Sequence, residues 1–263
     1  MTTDSRELWY ATRDISTTFV KGLKVLVAFD DGSAYLTLPE IGTKTGYDRA
    51  TVRRLVITLV DEGLLTKTDK SFALTPKILT LASQYLRGHG IGATVQPILN
   101  EYSGQLGKEI SLATVSEAEA IYLARSNITG STVSFGFTVG SRLPLLHTAI
   151  GRMLLATLNE TSRHALVNEI TPVQYTPHTV TNPVDIEQQV QAARDQGFAL
   201  VTSEFEAGVS GLAVPIGRLG ETKTVIGVSG PVTAFDAPPE FDHCLATLQM
   251  CAVALDRAWI EAP

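Results

Sequence analysis

The chain has 263 residues, of which 44% are hydrophobic and 18% charged, with a formal net charge of −6. That length and balance suit two folded parts and exclude a disordered or fibrous chain. No apolar run approaches the roughly 20 residues needed to cross a bilayer, and the opening MTTDSRELWYATRD is too polar and acidic for a secretory signal, which predicts a cytoplasmic location.

The charge is unevenly spread. Residues 18–87 hold ten Lys or Arg against seven Asp or Glu, so the acidic excess lies elsewhere, a distribution that suits a DNA-binding module on an acidic body. Around its start, TTFVKGLKVLVAFD at 17–30 places Phe19, Leu23, Leu26, Val27 and Phe29 at mostly helical spacing and predicts a first helix ending near Asp31-Gly32. Thr37-Leu38-Pro39-Glu40 has the pattern of a capping box, with proline tolerated in the first turn of a short second helix that ends near Gly46. Asp48 is the expected N-cap of a third helix, Arg49–Glu62, whose buried stripe is Val52, Leu55, Val56 and Leu59.

Two short helices joined by a glycine-containing turn read as a helix-turn-helix, with Arg49, Thr51, Arg53 and Arg54 early in the recognition helix. Arginine can bond guanine O6 and N7 together, and threonine can meet a phosphate or a thymine methyl. Gly63 is positioned to end the third helix. Residues 64–66 and 71–74 then read as a hairpin around Lys67-Thr68-Asp69-Lys70, a wing whose lysines either face phosphate or make a solvated turn. Thr75-Pro76 opens a linker helix that Gly88-His89-Gly90 breaks.

Beyond residue 92 the pattern turns mixed. A helix led by Pro97 runs to about Leu106, and EISLATV, AIYLARS and STVSFGF read as strands. Helices near 148–158 and 183–196, strands FALVTS, GLAVPIG and TVIGVSG, and an apolar helix over 239–260 follow. This order predicts an antiparallel sheet flanked by helices, an α+β domain. Gly208, Gly211, Gly227 and Gly230 fall in or beside strands, where glycine marks close approach by a ligand or merely relieves twist. Thr148, Ser210 and Ser229 offer hydroxyls, and the first amides of the 148–158 helix can hold a carboxylate, with Arg142 and Arg152 as possible helpers. Surface exposure is the favoured reading for Arg152, a solvated edge for Glu204 and Glu206 over orienting a ligand hydroxyl or binding a neighbouring subunit, and a hydrogen-bonded structural role for His147 over a pH-sensitive ligand contact.

Other chemistries find little support. Cys244 and Cys251, seven apart on one helix face, read as buried packing and not as a redox or metal pair. The G-V-S-G segments at 208–211 and 227–230 lack the spacing and the strand-to-helix context of a serine nucleophile. The five histidines form no metal motif, and no phosphate-binding loop is present, so no cofactor is expected.

LTLPEIGTKTGYDRATVRRLVITLVDEGLL at 36–65, LPLLHTAIGRMLLATL at 143–158, QGFALVTSEFEAGVSGLAVPIG at 196–217 and VIGVSGP at 225–231 together resemble the IclR family of bacterial transcriptional regulators. The resemblance implies a winged helix-turn-helix at 15–75, a linker helix at 76–91, and a GAF- or PAS-like effector-binding and oligomerisation domain at 92–263. It implies a double-stranded, pseudo-palindromic operator, a small effector, a homodimer or dimer of dimers, and no membrane. The expected DNA-facing set is Thr37, Lys44, Tyr47, Asp48, Arg49, Thr51, Arg53, Arg54, Lys67 and Lys70. The expected effector-facing set is Leu143, His147, Thr148, Ala149, Ile150, Val201, Ser210, Gly211, Gly227 and Ser229. Tyr47-Asp48-Arg49 departs from the Pro and Lys common after the family's turn glycine. Gly211 and Gly227 stand where polar residues are common, which points to a ligand larger or less polar than a small oxoacid. Within the family the effector-domain segments look most like regulators of aromatic-acid breakdown. The competing reading is a metabolite-sensing adaptor that works through protein contacts without DNA.

Overall fold

A computed structural model describes residues 15–29, 32–127 and 137–260, which fall into two units divided between Tyr85 and Leu86. In the first unit, the Ser16 hydroxyl accepts the Phe19 amide and starts α1 (Thr17–Val27). The helix stops short of the expected Asp31-Gly32, and residues 30 and 31 lie outside the described part. A two-residue strand β1 (Leu36–Thr37) leads into α2 (Leu38–Thr45), where Glu40 accepts both the Thr37 amide and hydroxyl at 2.7 Å. Those bonds stabilise the ionised form and hold the Glu40 carboxyl below its ordinary range.

Gly46 closes α2 at φ 72, a left-handed conformation that suits glycine. Asp48 then caps α3 (Arg49–Asp61), accepting the Ala50 and Thr51 amides at 2.9 and 3.0 Å. Val52, Leu55, Val56 and Leu59 are buried, the stripe expected from their spacing. At the other end the Leu64 amide bonds the Leu59 carbonyl and the Gly63 amide the Val60 carbonyl, with Gly63 at φ 69. This paired closure satisfies carbonyls that the helix leaves open. Strands β2 (Leu65–Thr68) and β3 (Ser71–Leu74) form the wing, and β1 adds to β3 as a third strand. The core of the unit is Val25, Ile41, Val52, Val56, Leu59, Leu65 and Phe72 with their neighbours.

Helix α4 (Lys77–Gly88) has no buried residue. Gly90, at φ 64, turns the chain into a single π-helical turn at Ile91–Val95, which runs into α5 (Gln96–Leu106). Among the described residues, the second unit has six antiparallel strands: β4 (Ile110–Ser116), β5 (Glu119–Arg125), β6 (Arg142–Pro144), β7 (Ala199–Thr202), β8 (Val209–Pro215) and β9 (Thr224–Pro231). Their order in the sheet is β6-β5-β4-β9-β8-β7. Residues 131–136 of the expected STVSFGF strand lie outside the described part.

Strand alternation sorts the core into two layers. Ala113, Val201, Ala213 and Val225 face α6 (Ala149–Thr157) and α8 (Pro183–Gln196). Leu112, Leu212, Val214 and Ile226 face α5 and the long α9 (Pro238–Ile260). Cys244 and Cys251 are buried in the second layer, and burial pushes their thiols up to about 11 and about 12. Protonated thiols of this kind pack as small apolar groups. Helix α7 (Glu160–Glu169) completes the unit. The sequence reading missed it because only Arg163 and Val167 are buried, too few to print an apolar stripe.

Candidate functional sites

In the first unit, α3 and the wing enclose a groove. Arg49 and Arg53, four apart on one helix face, line it together with Lys67, Asp69 and Lys70 from the wing, and Thr37 and Phe72 complete its wall. Both arginines and both lysines are exposed. Arg54 and Lys44 are exposed outside this groove. The remaining members of the expected DNA-facing set have structural occupations. Asp48 is the N-cap, and its second oxygen accepts the Thr51 hydroxyl at 2.6 Å, so the two are tied to each other. Hydrogen bonds from Thr51 hold the Asp48 carboxyl below its ordinary range. Tyr47 packs half-buried on the core, with the Lys21 ammonium 5.6 Å from its ring centre.

In the second unit, a cavity opens between the N-terminus of α6 and the sheet. Leu143, His147, Thr148, Ala149, Ile150, Val201, Gly211, Gly227 and Ser229 line it, nine of the ten expected residues. Ser210 does not. Strand alternation turns it to the opposite face, where its hydroxyl bonds the Thr202 hydroxyl at 2.9 Å. Ser111, Tyr122, Phe137, Glu204, Phe205, Glu206, Val209 and Val228 also line the cavity, and sequence reasoning did not assign them to it. Burial pushes the Tyr122 phenol up to about 12, against a smaller opposing influence of the nearby Ser111 hydroxyl.

The glycines serve the helix as well as the cavity. A Cβ on Gly227 would sit 2.8 Å from the Ile150 side chain, and one on Gly211 would sit 3.2 Å from Ala149 Cβ. These positions are small so that the first turn of α6 can lie against β8 and β9. The inference of an enlarged pocket does not follow, because the helix fills the space. Gly151 is more constrained: its Cβ would overlap the Leu145 backbone at 2.4 Å.

At its start, α6 is capped by a neutral group. The Thr148 hydroxyl accepts the Gly151 amide at 3.0 Å and donates to the Pro144 carbonyl at 2.7 Å, so it has no proton left for a ligand. The Ala149 and Ile150 amides precede the first intrahelical bond, and both residues line the cavity. With the aligned peptide dipoles, they make this end of α6 attractive to an anion.

Three expectations are overturned beside the cavity. Arg152 is 3% exposed, and its guanidinium grips Glu204 with Nη1 on Oε1 and Nη2 on Oε2, both at 2.7 Å. Its Nε donates to the Leu146 carbonyl. Glu204 is buried as well, and it also accepts the Val180 amide at 3.0 Å. A paired buried charge carries no sequence signature until its partner, 52 positions away, is known. His147 is 2% exposed, and neither ring nitrogen has a hydrogen-bond partner among the described residues. Its Nδ1 lies 4.0 Å from Glu204 Oε2, too far for a hydrogen bond. Burial first, and Arg152 as well, lower its pKa against the opposing pull of Glu204, so the ring is neutral near pH 7.

Against known proteins, residues 18–69 match the IclR helix-turn-helix domain and residues 83–257 match the C-terminal domain of the bacterial transcriptional regulator IclR. The Pca regulon regulatory protein of Pseudomonas putida is 33% identical over 87% of this chain and 80% of its own length. The p-hydroxybenzoate hydroxylase transcriptional activator of Acinetobacter baylyi is 28% identical, over 78% of this chain and 77% of its own. Among solved structures, an IclR homologue from Microbacterium hydrocarbonoxydans in complex with 4-hydroxybenzoate superposes with a TM-score of 0.77 at 22% identity, covering 94% of this chain and 100% of that one. Both units and their order therefore agree, and the chain belongs to the IclR family of bacterial transcriptional regulators.

Proposed function

We propose that this regulator senses a small organic acid, in the first instance an aromatic carboxylate, and that the acid's occupancy of the α6 cavity changes its affinity for an operator. The observation that carries the reading is the open first turn of α6 at a largely apolar cavity, where Ala149 and Ile150 present amides and the Thr148 cap brings no charge. A carboxylate placed there meets a helix N-terminus and requires no lysine or arginine. The names of the Acinetobacter relative and of the Microbacterium complex point to the same chemical class.

On the DNA side, Arg49 and Arg53 would enter the major groove while Lys67 and Lys70 neutralise phosphate. Phe19, Leu23 and Val27 form an exposed apolar row along α1, and a second copy of the chain is the occupant that would give two recognition helices for a pseudo-palindrome. On this reading the chain binds and does not catalyse, works in the cytoplasm, and its boundaries are 15–75, 76–91 and 92–263.

The test is a thermal-shift screen of the purified chain against aromatic and aliphatic carboxylates, with duplex binding measured across salt concentrations. A ligand at a hundred times its dissociation constant adds about 2.7 kcal/mol to folded-state stability. Stabilisation by aromatic acids together with salt-sensitive duplex binding is the expected result. Binding to acids without salt-sensitive duplex binding would instead support the adaptor reading.

A further inference from the structure

We propose that His147 reads an uncharged hydroxyl on the effector, so that the cavity selects hydroxylated monocarboxylates over both unsubstituted acids and dicarboxylates. This rests on the effector reading above and sharpens it. His147 is 2% exposed, lines the cavity, and leaves both ring nitrogens without a hydrogen-bond partner among the described residues. Buried polar atoms left in that state are costly, and a neutral imidazole carries one donor and one acceptor. A hydroxyl, itself donor and acceptor, can satisfy either nitrogen.

The surroundings of the ring argue against a second anionic group. Among the described residues lining the cavity, the charged side chains are Glu204 and Glu206. Glu204 is already neutralised by Arg152, which spends its guanidinium on that carboxylate and on the Leu146 carbonyl. Glu206 is exposed among the lining residues, and its charge disfavours a second carboxylate placed beside it. One carboxylate can rest on α6, but a second would find a neutral imidazole and a carboxylate, or, across β8 and β9, the uncharged side chains of Tyr122 and Ser111.

Tyr175 and Phe205 hold the imidazole in place. The Tyr175 ring meets His147 edge-on at 5.5 Å and Phe205 at 5.0 Å. The segment carrying Tyr175 is pinned in turn, because the Thr176 hydroxyl donates to the Ser203 carbonyl and the Thr179 hydroxyl to the Glu204 carbonyl, both at 2.6 Å. The ring therefore stands in a preset orientation before any ligand enters.

Calorimetric titration of the full-length protein tests this with benzoate, 3- and 4-hydroxybenzoate, 3,4-dihydroxybenzoate, 4-methylbenzoate, terephthalate and adipate. At least one hydroxylated acid is expected to bind roughly ten- to a hundredfold more tightly than benzoate. Terephthalate and adipate should bind more weakly than benzoate. Methylbenzoate matches the size of a hydroxybenzoate without its hydrogen bond, so it should follow benzoate in a comparison that needs no variant. In His147→Phe, the preference for hydroxylated over methylated acids should collapse toward unity, whatever the change in absolute affinity. Equal affinity for hydroxylated and methylated acids, or a dicarboxylate binding best, would overturn the proposal and leave the effector reading intact. No heat with any of these acids would remove the effector reading, and the role of His147 with it.

Discussion

Helices α3 and α6 both begin at a hydrogen-bonding cap, but the caps differ in charge and the ends differ in what they can hold. Asp48 sets a full negative charge on the exposed end of α3, satisfying the amides and opposing the helix dipole there. On the proposed reading phosphate recognition there falls to side chains, and Arg49, Arg53, Lys67 and Lys70 line the groove together with Asp69. Thr148 brings no charge to α6, so the positive end of that helix stays open at a cavity whose described charged residues are both glutamates. DNA phosphate sits in water, where full charges are required to compete with solvent, whereas in a desolvated pocket preset amides suffice.

The largest expected effect breaks the support behind α6. Glu204→Ala leaves the Arg152 guanidinium buried without its partner and should cost about 3–5 kcal/mol of unfolding free energy, read from the denaturation midpoint. Replacing both members with apolar residues should recover much of that loss, which a purely local packing defect would not do. Gly151→Ala should destabilise by about 1–3 kcal/mol through the clash with the Leu145 backbone, whereas alanine at Gly104, which has open space around it, should cost much less.

Arg53→Ala should weaken specific DNA binding by about 1–3 kcal/mol if the residue reads a guanine, and Lys67→Ala should reduce the salt slope by about one with little change in sequence preference. Unchanged operator affinity in R53A would remove that residue from the interface. A smaller effect comes from His147. Its folded pKa lies below the ordinary 6.5, so the unfolded chain takes up the proton first and stability should fall as pH drops through 6.5. His147→Phe should flatten that part of the pH profile, and an unchanged slope would place the titration elsewhere.

Much of the first unit could be read from sequence because its signals are local. Cap, turn glycine and apolar stripe lie within a few residues of one another around Asp48, Gly63 and Val52. The two-residue β1 escaped because it exists only through pairing with Phe72 and Ser71. In the second unit, nine cavity residues were named, but the reasons given for some were wrong. Gly211 and Gly227 admit a helix, the Thr148 hydroxyl is spent on its own cap, and Arg152 is buried by a glutamate distant in sequence. Tyr122 and Ser111 were missed because adjacent strands bring them together, whereas in sequence they look like ordinary strand residues. Composition and periodicity report what a residue does to its own element and say little about which neighbour it meets.

The most direct test of the contrast between the two caps is to exchange one. Thr148→Asp keeps a good N-cap for α6 while placing a negative charge where the effector carboxylate would rest. With titration of 4-hydroxybenzoate into wild type and T148D, the account predicts measurable binding to the first and at least about a tenfold loss in the second, at a temperature where both are folded, since aspartate cannot donate to the Pro144 carbonyl and the melting temperature falls. Equal affinity in both would contradict it, because the acid would then be held somewhere other than the first turn of α6.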